Sequence, residues 1–356
     1  IYGKEYAEKL AVENLIHNQL NLFGYQDIQT PAFEFFDVFS NEIGTTPSNE
    51  LYKFFDKEGN TLVLRPDFTP SMARCAAKYF MDENVPIRFC YAGNTFTNTS
   101  SLQGKLKEVT QMGAELIGDG SVEADGEMIA LVVESLLSAG LTDFQVSIGQ
   151  MEYFKGICAQ AGLDEQTENE LRELISGKNI FGAEELLEGK GVADVYCQVL
   201  LKVTDYFGTV EVLKEAEKFA LNSRSRLAID RLFKLYQVLC MYGVEKYVSF
   251  DLGMLSKYHY YTGVIFKVYT YGVGEPIVKG GRYDHLLGYF GKESPAIGFA
   301  VVIDDLMLAL GRQKAGIKGA DEIIYLTYNP DNYESRLSEA KGLRKNGRKV
   351  SLVPEK

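Results

Sequence analysis

The sequence predicts an α+β fold carrying a helical insertion, and two observations carry that reading. Short alternating apolar segments, punctuated by Pro and Gly, occur before residue 150 and again after residue 243. Between them the alternation stops and helical spacing takes over, clearest where Ala228, Leu232, Leu235, Leu239 and Tyr242 step by three or four and form a core stripe. Strands on both sides of a helical module describe α+β rather than a regular βαβ repeat.

Residues 4–23 run without Gly or Pro until Gly24 and read as a helix. Residues 25–31 alternate like a short strand that stops at Pro31, and 61–65 form another, ended by Pro66. A helix follows over 71–80. Residues 87–92 and 107–117 read as two strands joined by a loop rich in Asn, Thr and Ser. A helix over 123–139 and a strand from 144 close this block. After the helical stretch, strands resume near Tyr247 and over 264–270, and 300–310 looks helical. The glycines of Gly272-x-Gly274 and Gly280-Gly281-Arg282 read as turns. The tail, 322–353, reads β-α-β. The expected organisation is a discontinuous core, 1–150 with 243–312, an insertion over 151–242, and a partial β-α-β segment over 313–356.

Composition narrows the function. The net charge of -12 opposes nucleic-acid binding, which depends on neutralising phosphates with Lys and Arg. Residues 151–220 carry 14 Asp and Glu against 7 Lys and Arg, an excess that solvated acidic helix faces explain equally well. No apolar run is long enough for a transmembrane helix and no signal-peptide pattern opens the chain, so a cytoplasmic location is expected. The first residue is Ile1, which implies that residues precede it. The five cysteines are scattered, and His17, His259 and His285 fall at no metal-ligand spacing, so no metal and no cofactor are expected. There is no GxSxG, HExxH or Walker A sequence.

Several segments carry a resemblance when taken in order. They are Gly24-Tyr25 through Thr30-Pro31-Ala32-Phe33-Glu34 to Asp37-Val38-Phe39; Leu64-Arg65-Pro66-Asp67-Phe68-Thr69; Ala92-Gly93 through Glu115; Tyr260-Tyr261-Thr262-Gly263; and Gly281-Arg282-Tyr283-Asp284 leading into Gly298-Phe299-Ala300. Individually weak, together they resemble the class II histidyl-tRNA synthetases over roughly residues 1–150 and 243–312. The resemblance implies an antiparallel sheet flanked by helices. It identifies the first segment with that family's dimer-forming motif.

It also implies a lost activity. Where that family has the Phe-Arg-x-Glu of its second motif, this chain reads Phe96-Thr97-Asn98-Thr99. Where the histidine-specific segment opens Arg-Gly-Leu-Asp, it reads Ser256-Lys257-Tyr258-His259, and where the third motif ends Glu-Arg, it reads Asp304-Asp305. Three phosphate-binding arginines are thus replaced by Thr97, Ser256 and Asp305. Removing one preorganised donor costs ~3–4 kcal/mol in a transition state, and Asp305 adds a negative charge where triphosphate would lie. Lys257 is one position off and lacks the guanidinium fork.

The amino-acid pocket is retained. By resemblance, Asp67 and Thr69 would meet the histidine ammonium, although Asp67 is one methylene shorter than the family's Glu. Gln111 and Glu115, four apart and hence on one face of a strand, would complete the pocket, with Tyr261 and Tyr260 at the imidazole. Taken singly, each of these residues is also an ordinary strand polar residue or core tyrosine. A histidine site without ATP activation resembles the regulatory subunits of ATP phosphoribosyltransferase. That resemblance implies no catalysis by the chain alone, a short-form catalytic subunit as partner, L-histidine as effector and a homodimer within a hetero-oligomer. A divergent histidyl-tRNA synthetase and a synthetase-like binding module of another assembly are the alternatives.

Overall fold

A computed structural model describes residues 2–39, 46–80, 82, 86–99, 106–256, 260–317 and 323–355. Lys257, Tyr258, His259 and most of the polar loop after Asn98 lie outside the described residues. In chain order the elements are α1 (Gly3–Leu22), β1 (Gln26–Asp27), β2 (Phe33–Phe35), β3 (Lys53–Phe55), β4 (Thr61–Leu64), α2 (Thr69–Tyr79), β5 (Ile87–Phe96), β6 (Glu108–Ile117), α3 (Val122–Ser138) and β7 (Phe144–Gln150). There follow α4 (Met151–Gln160), α5 (Glu165–Ser176), α6 (Ile180–Gly189), α7 (Asp194–Lys202), β8 (Phe207–Gly208), α8 (Glu211–Glu217), α9 (Ser223–Tyr242) and β9 (Val248–Asp251). The last elements are β10 (Val264–Thr270), β11 (Val278–Arg282), β12 (Ala296–Val302), α10 (Ile303–Arg312), β13 (Ile324–Tyr328), α11 (Tyr333–Lys345) and β14 (Val350–Pro354).

A nine-stranded sheet, in the order β1-β5-β6-β12-β11-β10-β7-β9-β8, organises the molecule. It is antiparallel except where β1 meets β5 and β7 meets β9. A small antiparallel sheet, β2-β4-β3, stands apart from it, and β13 pairs with β14 in parallel.

Period-two alternation sorts the main sheet into two faces. On β6, Met112, Ala114 and Leu116 enter the large core with Val12 and Ile16 of α1, Met128 and Val132 of α3, and Leu232 and Leu235 of α9. The opposite face of β5 and β6 sends Phe89, Tyr91 and Ile117 into a second core with Phe68, Met72 and Ala76 at α2. The apolar stripe of α9 is buried as its spacing predicts, except that Tyr242, the last helical residue, is exposed. Local signals fix the helix ends. Ser121 caps α3 by accepting from the Ala124 amide, Asn222 caps α9 by accepting from the Ser225 amide, and Gly243 ends α9 with φ +70.

Three expectations are corrected. Gly280, Gly281 and Arg282 are not a turn but part of the central strand β11, paired with β10 and β12. Close approach selects these glycines: a Cβ on Gly280 would come within 2.4 Å of the Phe266 ring, and one on Gly281 within 2.8 Å of Tyr261. Residues 300–302 are likewise strand, because β12 pairs on both edges and the helix begins only at Ile303. The strand at 25–31 shortens to Gln26–Asp27.

A buried ion network ties the sheet to its helices. Asp125 on α3, wholly buried, accepts from Arg282 on β11 at 2.6 Å and from Arg231 on α9 at 2.7 Å. Arg282 also donates to the Asp119 carbonyl at 3.0 Å and to Asp284 at 3.2 Å. Removing one partner would strand a buried charge, a loss of about 3–5 kcal/mol.

Candidate functional site

The polar face of β6 sits between β5 and β12, where Gln111, Gly113 and Glu115 point the same way. A cavity of about 110 Å³ opens there, lined by Asp67, Thr69, Gln111, Tyr260, Tyr261 and Tyr283 among others. Glycines make the floor shallow enough. A Cβ on Gly298 of β12 would lie 1.6 Å from Glu115 Oε2, so a side chain there is incompatible with this Glu115 position.

Glu115 lies beneath the cavity and is only 1% exposed. Thr69 Oγ1 donates to its Oε1 at 2.9 Å, and the Tyr283 hydroxyl donates to its Oε2. Burial pushes its carboxyl up to about 8; the two hydroxyl donors act in the opposite sense, and neighbouring Asp67 adds to the rise. Asp67 is oriented by the Thr69 amide, which donates to its Oδ1 at 3.2 Å at the start of α2. Gln111 Oε1 is buried without a hydrogen-bond partner among the described residues, an arrangement that favours an incoming N–H donor. Tyr260 and Tyr261 close the other side, their rings 4.5 Å apart.

All six residues expected to bind a ligand therefore gather at this place, five on the cavity wall and Glu115 just behind it. Tyr283 was missed as a site residue. It is fully buried, its ring meets that of Tyr260 edge-on at 6.0 Å, and it holds Glu115. The signal was present in Gly281-Arg282-Tyr283-Asp284: period two along β11 puts Tyr283 on the face of Lys279 and Gly281.

Arg65, beside Asp67 in sequence, is instead structural. Its guanidinium donates to the carbonyls of Thr30 at 2.8 Å, Pro31 at 3.1 Å and Asn94 at 2.8 Å, and lies 4.0 Å over the Phe68 ring. Gly93 is small for its sake, since a Cβ there would come within 2.6 Å of Arg65 Nη2.

Beyond Gln111, Lys279 and Val302, which the two spaces share, the cavity adjoins a wide groove of about 1530 Å³. Thr97, Thr99, Asp304 and Asp305 line it. Asp304 accepts from Lys9 of α1 at 2.7 Å and from the Thr110 amide at 2.7 Å. Asp304 and Asp305 occupy the first turn of α10, where negative charge is favoured by the helix dipole and repels phosphate. Ser256 is buried, its amide 3.5 Å from Met151 Sδ.

Known proteins share this arrangement of elements. The family model described as Histidyl-tRNA synthetase matches residues 3–306. The ATP phosphoribosyltransferase regulatory subunit of Acetivibrio thermocellus is 40% identical over 344 residues, 97% of this chain and 82% of that protein. That of Thermoanaerobacter pseudethanolicus is 38% identical over 98% of this chain and 91% of its own length. Among solved structures, the ATP phosphoribosyltransferase regulatory subunit/histidyl-tRNA synthetase from Bacillus halodurans C superposes with a TM-score of 0.87 at 34% identity, covering 98% of this chain and 89% of that one. Histidyl-tRNA synthetase from Nostoc sp. PCC 7120 superposes at 0.82 with 20% identity, covering 98% of this chain and 82% of its own, a likeness of fold. The cavity with its clustered acceptors and the groove beside it thus lie in a chain that belongs to the histidyl-tRNA synthetase family, among its ATP phosphoribosyltransferase regulatory subunits.

Proposed function

We propose that this chain senses free L-histidine on behalf of a short ATP phosphoribosyltransferase catalytic subunit, and that it is catalytically silent alone. The observation that carries the reading is the contrast in donors and acceptors along β6. The cavity offers Asp67 and an unpartnered Gln111 oxygen, acceptors suited to the ammonium and ring N–H of histidine, with the Glu115 carboxyl just behind them. The adjoining groove carries Asp305 where the resemblance places a phosphate-binding arginine, while Lys279 and Arg312 also line it.

The working assembly is a homodimer within a cytoplasmic hetero-oligomer. The exposed face of the β2-β4-β3 sheet supports the dimer: Glu34 turns inward to Arg74 at 2.6 Å, while Phe33, Phe35 and Phe55 face outward with 51%, 56% and 73% exposure.

Calorimetric titration of histidine into the isolated chain and into its complex with the catalytic subunit tests the reading, beside inhibition of the complex by histidine. An effector acts only through its differential affinity for two states, and reciprocity requires the catalytic subunit to change histidine affinity by the same factor. Loss of binding in Glu115→Ala with unchanged inhibition places the feedback site elsewhere.

A further inference from the structure

Three potential metal ligands that are remote in sequence converge at the edge of the main sheet, on the face opposite the cavity. His17 comes from α1, Asp27 from β1 and Cys90 from β5. His17 Nε2 lies 2.7 Å from Asp27 Oδ1, and Cys90 Sγ donates to the same oxygen at 3.5 Å. One ligand atom from each falls within 4.8 Å of the others, and among the described residues no other group of His, Cys, Asp and Glu converges so closely.

We propose that His17, Asp27 and Cys90 bind a divalent transition metal, with Zn2+ the best match. The donor set is one imidazole nitrogen, one carboxylate oxygen and one thiolate sulfur, the mixed set a borderline-soft cation takes. With a neutral imidazole and the thiol proton released to solvent, thiolate and carboxylate balance the charge of the dication.

Geometry favours the assignment. Asp27 and Cys90 are register partners across the parallel β1–β5 pair, so their side chains emerge on the same face, beneath α1. Cys90 is completely buried and anchors the inner side, whereas Asp27 is largely exposed. Its carboxylate can swing by the fraction of an ångström needed to move from a hydrogen-bond separation to the roughly 3.3 Å between ligands around a tetrahedral zinc. The solvent side leaves the fourth position to water. The side-chain amide nitrogen of Asn21, one helical turn beyond His17, lies 3.4 Å from both ring nitrogens, Nδ1 and Nε2.

The bound metal would clamp α1 to the two strands of the sheet edge. The inference is independent of histidine sensing, because none of the three residues lines the cavity or the groove.

The test uses the purified chain stripped of metal by a chelator and titrated with Zn2+ against a chromophoric competitor. A parallel titration uses Co2+, whose thiolate charge-transfer band reports sulfur ligation. The expected result is one equivalent bound per chain, a cobalt–thiolate band, and a higher melting temperature with metal. His17→Gln, a change at a partly exposed position that leaves the fold intact, should weaken Zn2+ binding by about tenfold or more. Cys90→Ser should abolish the cobalt–thiolate band, with circular dichroism confirming that the variant is folded. Absence of stoichiometric binding overturns the proposal. So does binding that survives both substitutions, since the metal then lies elsewhere.

Discussion

The cavity and the groove share Gln111, Lys279 and Val302, yet they differ in everything that matters for chemistry. In the cavity the polar residues hold one another in register: Thr69 and Tyr283 on Glu115, the Thr69 amide on Asp67. In the groove the charged residues have been given other work. Asp304 is bound by Lys9 and Thr110, so α1 and α10 are joined at the wall of the groove. Recognition of a small amino acid needs a few well-placed acceptors and survives in isolation. Phosphoryl activation needs several cations acting together, and it disappears when they go. On the reading proposed above, the fold has shed its reaction and kept its ligand.

The sharpest way to break this comparison is to look for the lost reaction. Histidine-dependent exchange of pyrophosphate with ATP should fall more than roughly a thousandfold below an authentic synthetase assayed in parallel. Exchange at or above that level would mean that the groove still handles triphosphate. Histidine binding is the opposite arm. Glu115→Ala should weaken it by about tenfold, since it leaves the Thr69 and Tyr283 hydroxyls unpaired at the cavity floor, and a buried unsatisfied polar group costs ~1–3 kcal/mol.

A third prediction concerns pH. The Glu115 carboxyl is raised from its ordinary 4.5 to about 8, so between these values the folded state holds a proton that the unfolded state has released. Folding stability attributable to Glu115 therefore falls as pH rises through that window, and levels off once the folded carboxyl ionises as well. Glu115→Gln removes this dependence, so the melting temperature of the variant relative to wild type should climb by about 2 °C or more between pH 5 and pH 9. A pH-independent difference would show that Glu115 titrates normally. The smallest effect expected on the cavity is that of the dimer face. Phe35→Asp should shift sedimentation from dimer towards a monomer near the chain mass of 39.8 kDa while leaving histidine affinity nearly unchanged.

The cavity was more legible in the sequence than the strands that build it. Gln111 and Glu115 could be placed on one face because a spacing of four on a strand leaves no choice. The strands β11 and β12 were harder: Gly280 and Gly281 look like punctuation when only the chain is visible, and nothing in the sequence says why Gly298 is small. Their smallness answers to Phe266, Tyr261 and Glu115, which come from other elements. Tyr283 was hidden for the same reason, since its role depends on a carboxylate that lies 168 positions away in sequence. His17, Asp27 and Cys90 show the limit most clearly. No spacing rule joins a helix, an edge strand and a central strand, and only the parallel register of β1 on β5 brings them together.

The end of β11 carries a consequence for how occupancy of the cavity is felt elsewhere. Arg282 and Tyr283 are successive residues facing opposite sides of the sheet. One grips Asp125 and, through it, meets Arg231 of α9; the other holds Glu115 under the cavity floor. The dipeptide thus ties the cavity floor on one face of the sheet to the seating of α3 and α9 on the other, so that a shift of its backbone is shared by both sides.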